Sequence, residues 1–170
     1  MILSEVIIEL NSDSPLDFIV ADYAVAYPFS YSDDDAVLLT PYRMLPDNYT
    51  SKLLHQWVSN FWTAGTPIQT YSLMKDMTQY ISKTLVYRVR EEPGVQSPEQ
   101  TLACGTGSCR DFALLFMTAA KCLGLAARFV SGYLYDPLSV VAGATHAWAE
   151  VYLPGAGWIG FDPTTGDIVG

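Results

Sequence analysis

The chain is poor in positive charge. Its 170 residues carry nine Lys or Arg against eighteen Asp or Glu, a formal net charge of −9. This argues against binding a phosphate backbone, which takes clustered basic side chains, and disfavours docking on an anionic bilayer. No apolar run approaches the roughly 20 residues that cross a membrane. Met1 to Leu10 show neither a basic leader nor a small-residue cleavage site, and read as a strand rather than a signal peptide. Cysteine is scarce, with only Cys104, Cys109 and Cys122. An odd, small count is a poor disulfide framework, although the sequence leaves a Cys104–Cys122 bridge open. A reducing, cytoplasmic compartment is the simpler expectation. Cys104 and Cys109 fall outside the close-spaced pairs of zinc sites and further ligands are too few, so no metal or cofactor is expected. Internal repeats and low-complexity tracts are absent.

What remains is half apolar and 16% charged, which suits one folded domain spanning residues 1–170. Residues 11–50 read as loop-rich, and Asp33-Asp34-Asp35 as a solvated turn, since the ligand spacing of a calcium loop is missing. Apolar positions at helical spacing predict a helix over about 51–62, from Leu53 to Trp62, with Thr50 or Ser51 as cap. His55 rides on it, away from any motif, and is read as a surface residue. A second helix fits about 68–84. Residues 90–100 form a polar loop in which Ser97-Pro98 starts a short helical turn. A wide apolar face from Phe112 to Leu123 marks a deeply buried helix over about 109–123, with Ser108 as N-cap, Asp111 in its first turn and Gly124 as terminator. Strands follow at about 126–135, 145–153 and 158–162. Helices followed by antiparallel strands indicate an α+β domain with one sheet against the buried helix.

Three residues sit where thiol chemistry needs them: Cys109, His146 and Asp162, spaced 37 and then 16 residues apart in the sequence. A cysteine attacks as the thiolate. At a helix N-terminus, Cys109 faces unpaired N–H groups and the positive end of the dipole, which favour that anion and can hold an oxyanion. Gly105 and Gly107 are expected to let the chain turn tightly and to leave room for substrate beside the sulfur. Parity places His146, Trp148, Glu150 and Tyr152 on one face of their strand and Ala147, Ala149, Val151 and Leu153 on the core face. In the next strand Asp162 shares a face with Trp158 and Gly160. Matching core face to core face leaves two registers: His146 opposite Asp162, or Trp148 opposite Asp162 with His146 on the diagonal. Both require an odd-length connection or a bulge around Pro154-Gly155-Ala156-Gly157. Asp162 read alone is a turn-initiating Asp before Pro163-Thr164. Glu150 competes as a partner for His146. Cys122, deep in the apolar stretch, reads as a small buried hydrophobe.

The blocks Gly107-Ser108-Cys109-Arg110-Asp111-Phe112-Ala113, Gly124 to Tyr133, His146-Ala147-Trp148-Ala149-Glu150-Val151-Tyr152 and Gly157 to Thr164 together resemble the core of the transglutaminase-like superfamily of papain-fold thiol enzymes. Leu45 to Thr50, followed by a helix, resembles its bacterial branch. The resemblance implies a papain-like α+β fold with helices packed on an antiparallel sheet. It further implies Cys109 as nucleophile, His146 as base and Asp162 as the residue that orients it. The implied chemistry is a thioester formed from a peptide or other amide substrate, resolved by water in an amidase or peptidase and by an amine in a protein–glutamine acyltransferase. A non-catalytic binding module that kept the fold is the rival from another class. Arylamine acetyltransferases share the residue order with different flanks, and papain-type proteases have a far longer Cys-to-His interval. Candidates for a second oxyanion donor are Tyr87, Gln100 and Trp148. Bacterial relatives often carry an N-terminal β-rich domain and continue past the last strand; here residues 1–10 are the one stretch that could be a remnant of such a domain, and the chain reads either as a fragment of a longer protein with flanking domains or as a minimal version.

Overall fold

The computed structural model describes residues 16–46, 51–133 and 145–169. The strand expected over residues 1–10 lies outside them. The elements run β1 (Ala26–Tyr27), α1 (Asp33–Leu38), α2 (Thr40–Arg43), α3 (Lys52–Val58), β2 (Ile68–Gln69), α4 (Thr70–Thr84), β3 (Val86–Tyr87), α5 (Pro98–Cys104), β4 (Thr106–Gly107), α6 (Cys109–Cys122), β5 (Ala127–Tyr133), β6 (Thr145–Leu153), β7 (Gly157–Asp162) and β8 (Asp167–Val169). Among the described residues no helix is long and apolar enough to cross a membrane.

Helix α6 is the axis of the molecule. Phe112, Leu115, Phe116, Ala119 and Ala120 are almost wholly removed from water. They pack against Leu73, Met74, Met77 and Ile81 of α4 on one side, and against Ala127, Ala149, Val151, Leu153, Ile159 and Phe161 of the sheet on the other. The rings of Phe116 and Phe161 lie 5.5 Å apart. The helix stops where the sequence predicts. Gly124 adopts φ +78, and the Leu125 N–H donates back to the Ala120 carbonyl at 3.1 Å, closing a Schellman-type cap.

The four-stranded sheet has the order β5-β6-β7-β8, antiparallel throughout. Between β6 and β7, Ala149 lies opposite Phe161 and Leu153 opposite Gly157. This is the second of the two expected registers, the one that brings Trp148 level with Asp162. The connection Pro154-Gly155-Ala156 has odd length, as parity demands, and Gly155 and Gly157 both take positive φ. One hydroxyl is wedged into the β5–β6 ladder: Tyr31 Oη accepts the Ala126 N–H at 2.9 Å and donates to the Tyr152 carbonyl at 3.0 Å.

Some sequence readings are refined. The described residues 16–46, expected to be loop-rich, carry a 3-10 turn at Asp22–Ala24 besides β1 and the short helices α1 and α2. Asp33, Asp34 and Asp35 form the first turn of α1, where Ser32 Oγ accepts the Asp35 N–H and the acids meet the positive end of the helix. The helices expected over 51–62 and 68–84 are shorter. The first ends at Val58. The second begins at Thr70, because Ile68 and Gln69 pair with Tyr27 and Ala26 instead. Strand β8 went unread, since three residues give no periodicity to detect. All three cysteines are free, so the Cys104–Cys122 bridge does not form.

Candidate active site

Cys109 is the first residue of α6, preceded by Ser108 in extended conformation. It is 9% exposed and packs with Ala113 of its own helix and Ala147 of β6. The sulfur therefore lies between the helix start and the strand position next to His146. The N–H groups of Cys109 and Arg110 have no acceptor within the helix, as at any helix start, and face outward from its first turn. Gly107 plays a different part from the one expected. A Cβ there would fall 2.9 Å from Asp111 Cβ and 3.0 Å from Phe112 Cε1. The missing side chain lets β4 lie on the helix; it does not open space for a ligand.

His146 Nε2 lies 2.6 Å from Asp162 Oδ2, and the two side chains are only 12% and 7% exposed. An ionised carboxylate only accepts, so the ring nitrogen facing it carries the proton. Nδ1 is then the nitrogen with a lone pair to offer. Asp162 also does what its turn sequence suggests. Its other oxygen, Oδ1, accepts the Thr164 N–H at 2.8 Å, so turn formation and imidazole anchoring use separate lone pairs. Glu150 is occupied elsewhere: it accepts from Arg128 Nε at 2.6 Å, and the guanidinium of Arg128 stacks 4.3 Å from the Trp158 ring centre.

The three oxyanion candidates separate. Tyr87 of β3 pairs with Gly107 and is 48% exposed; burial, and after it the nearby Cys109 charge, push its phenol pKa up. Its strand position puts it opposite the residue two before Cys109. Trp148 sits with its ring 6.3 Å from that of His146, tilted by 32°. It covers Gly132, where a Cβ would meet Trp148 Cη2 at 2.5 Å. It thus walls the imidazole through its ring. Gln100 is anchored in a helix cap at the start of α5: its Oε1 accepts the Ser97 N–H and its backbone N–H donates to Ser97 Oγ. His55 is exposed on α3. Cys122 is half-buried, and burial pushes its thiol pKa up; Cys104 is exposed. The larger of two described surface grooves, about 360 Å³, lies between α4 and β7–β8 and does not border Cys109.

One part of the site was read in the sequence only as a helix start, without its partners Arg90 and Gln96. Asp111, two residues past Cys109, is fully buried. Its Oδ2 accepts from the Ser108 N–H at 2.8 Å and the Ser108 hydroxyl at 2.9 Å. Its Oδ1 accepts from the Gln96 N–H at 2.8 Å. Arg90 Nη1 donates to both oxygens, at 2.9 and 3.0 Å. Burial alone would raise this carboxyl's pKa; the Ser108 and Gln96 N–H groups, the Ser108 hydroxyl and Arg90 together outweigh it and hold the pKa below the usual carboxylate value. A Ser three residues before an acid is a legible helix-start signal. The Arg90 partner, by contrast, comes from a loop that only the tertiary fold brings near.

Comparison with known proteins agrees with this architecture. The sequence model of the transglutaminase-like superfamily core matches residues 49–163. The chain belongs to the transglutaminase-like superfamily. Uncharacterized proteins of Mycobacterium bovis and Mycobacterium tuberculosis are 34% identical over 107 residues, covering 57% of this chain and 34% of theirs. Among solved structures, a candidate cysteine protease from Cytophaga hutchinsonii superposes with TM-score 0.62 at 25% identity, over 79% of this chain and 43% of that one. The periplasmic domain of TgpA from Pseudomonas aeruginosa superposes with TM-score 0.63 at 20% identity, over 78% of this chain and 48% of that domain. The chain thus spans about a third of the mycobacterial relatives and under half of these structures. The TgpA structure is of a periplasmic domain, so the fold does not by itself assign this chain to the cytoplasm.

Proposed function

We propose that the chain is a thiol-dependent amide hydrolase or peptidase in which Cys109 is the nucleophile, His146 the general base and acid, and Asp162 the residue that orients the imidazole. The observation that carries this reading is the 2.6 Å contact between His146 Nε2 and Asp162 Oδ2, on the strand whose next residue, Ala147, packs against Cys109. With Nε2–H held by the carboxylate, Nδ1 is free to take the thiol proton, and Asp162 stabilises the imidazolium that results. The thiolate then attacks the amide carbonyl. The oxyanion is met by N–H groups at the start of α6, with the Tyr87 hydroxyl as the candidate second donor. The imidazolium returns its proton to the departing amine as the C–N bond breaks. Water, deprotonated by the same imidazole, resolves the thioester and restores the thiol.

The test is release of amine or ammonia from a panel of peptide amides and glutaminyl peptides. Cys109→Ser and His146→Ala should each lower the rate by at least about 100-fold. Turnover that survives both changes rules the reading out. Adding a primary amine distinguishes the acyltransferase branch, in which amine incorporation outruns hydrolysis.

A further inference from the structure

A carboxylate in the first turn of the helix that presents the thiol poses an electrostatic problem. The positive end of the helix favours a thiolate, and a bare Asp two residues further on would oppose it. Asp111 is buried, so water screens its charge poorly. Arg90 supplies the counter-charge directly, at 2.9 Å and about 19% exposed. Glu92, 3.7 Å from Arg90 Nε, is largely solvated and competes weakly. The same contacts fasten a strap to the turn. The Val86 N–H donates to the Gly105 carbonyl and the Arg88 N–H to the Gly107 carbonyl. Arg110 Nη2 donates to the Arg90 carbonyl, and the Gln96 N–H donates to Asp111. Residues 86–96 therefore grip the helix start at both ends, and Tyr87 rides on that strap.

We infer that Arg90 is a positioning residue for the thiol: it neutralises the buried Asp111 carboxylate and latches the 86–96 segment, with Tyr87, to the turn that presents Cys109. This rests on Cys109 being the nucleophile. The charged or titratable groups on the elements that meet at that turn include Arg110 and Asp111 on α6, Cys104 at the end of α5, Tyr87, Arg88, Arg90, Glu91 and Glu92 on the strap, and His146 and Asp162 on the sheet. Of these, Asp111 is the fully buried acid on the nucleophile's own turn, and Arg90 pairs with it.

The experiment is the pH dependence of iodoacetamide alkylation at Cys109, read by mass in a Cys104→Ser/Cys122→Ser background so that Cys109 is the one thiol that can react. Arg90→Gln should move the midpoint up by about half to one pH unit, the size of one uncompensated charge at short range and intermediate dielectric. Arg90→Lys, which keeps the charge, should leave the midpoint near that of the unmodified protein. The double variant Arg90→Gln/Asp111→Asn, neutral again, should return the midpoint even though the strap is unlatched. A purely structural role would not produce this return. If Arg90→Gln does not fold, Asp111→Asn gives the opposite sign, a lower midpoint. An unmoved midpoint in Arg90→Gln, or a double variant as displaced as the single one, overturns the inference. His146→Ala in the same assay separates the two levels. A profile that responds to His146 but not to Arg90 sinks only this inference; one that responds to neither removes the proposed function with it.

Discussion

Replacing Asp162 by asparagine is the sharpest single change available, because the two side chains have the same shape. The substituted amide can keep its carbonyl oxygen on the Thr164 N–H, the 2.8 Å bond that closes the turn. Its NH2 group then faces His146 Nε2, where Oδ2 now lies at 2.6 Å. Donor would meet donor. The imidazole can relieve this by moving its proton to Nδ1, which removes the lone pair needed on the side of the sulfur. A second loss adds to the first. A hydrogen bond to a charged group contributes about 1.5–3 kcal/mol, so the imidazolium formed during turnover loses roughly a factor of 10 to 100 in stabilisation. Together the wrong tautomer and the lost charge predict a fall in kcat of about 10² to 10⁴, with the melting temperature little changed because turn and packing survive. The assay is amide hydrolysis alongside a thermal melt. An Asp162→Asn variant that keeps a third or more of the activity would refute the reasoning. Equal losses of activity and stability would show instead that Asp162 acts only through the turn.

Other perturbations probe neighbouring parts of the account. Gly132→Ala puts a Cβ 2.5 Å from Trp148 Cη2, so overpacking should cost about 1–3 kcal/mol and displace the ring that lies beside His146; denaturant unfolding and activity should both report it. Tyr31, whose hydroxyl bridges Ala126 and Tyr152, has its pKa pushed up to about 12, chiefly by burial and against the lowering effect of the Ala126 N–H and Arg43. An unfolded tyrosine loses its proton near pH 10 while the folded one keeps it, so this contribution to stability is full below about pH 10 and disappears by about pH 12. Tyr31→Phe should unfold with a weaker dependence on pH across that window. Asp111 behaves in the opposite sense. Its lowered pKa makes its contribution full above about pH 4 and lost as the pH falls through the folded value, so Asp111→Asn should flatten the acid side of the stability profile.

Much of the site was legible because its parts obey local rules. Parity along β6 and β7 put His146 and Asp162 on one face and narrowed the register to two choices, since a slip by one residue would have turned Val151 and Phe161 out of the core. The start of α6 was legible from Ser108, Asp111 and the apolar face behind them. Three features were not. Arg90 lies in a polar loop whose partner is set only by the tertiary fold. The role of Gly107, making room for Asp111 and Phe112, depends on how closely β4 approaches α6. The start of α4 was misplaced because Ile68 fits both the helical spacing and a strand, and its pairing with Tyr27 decides the matter.

The most direct test of the central claim is the covalent state of the sulfur during turnover. Protein mixed with an activated peptide ester or amide, quenched in acid within the first turnovers and digested, should carry the acyl mass at Cys109, told from Cys104 on the same peptide by fragment ions. The adduct should disappear with time in water and be absent from His146→Ala at neutral pH. An acyl group found on Cys104 or Cys122, or substrate consumed with no adduct on Cys109 at any time, would contradict the account.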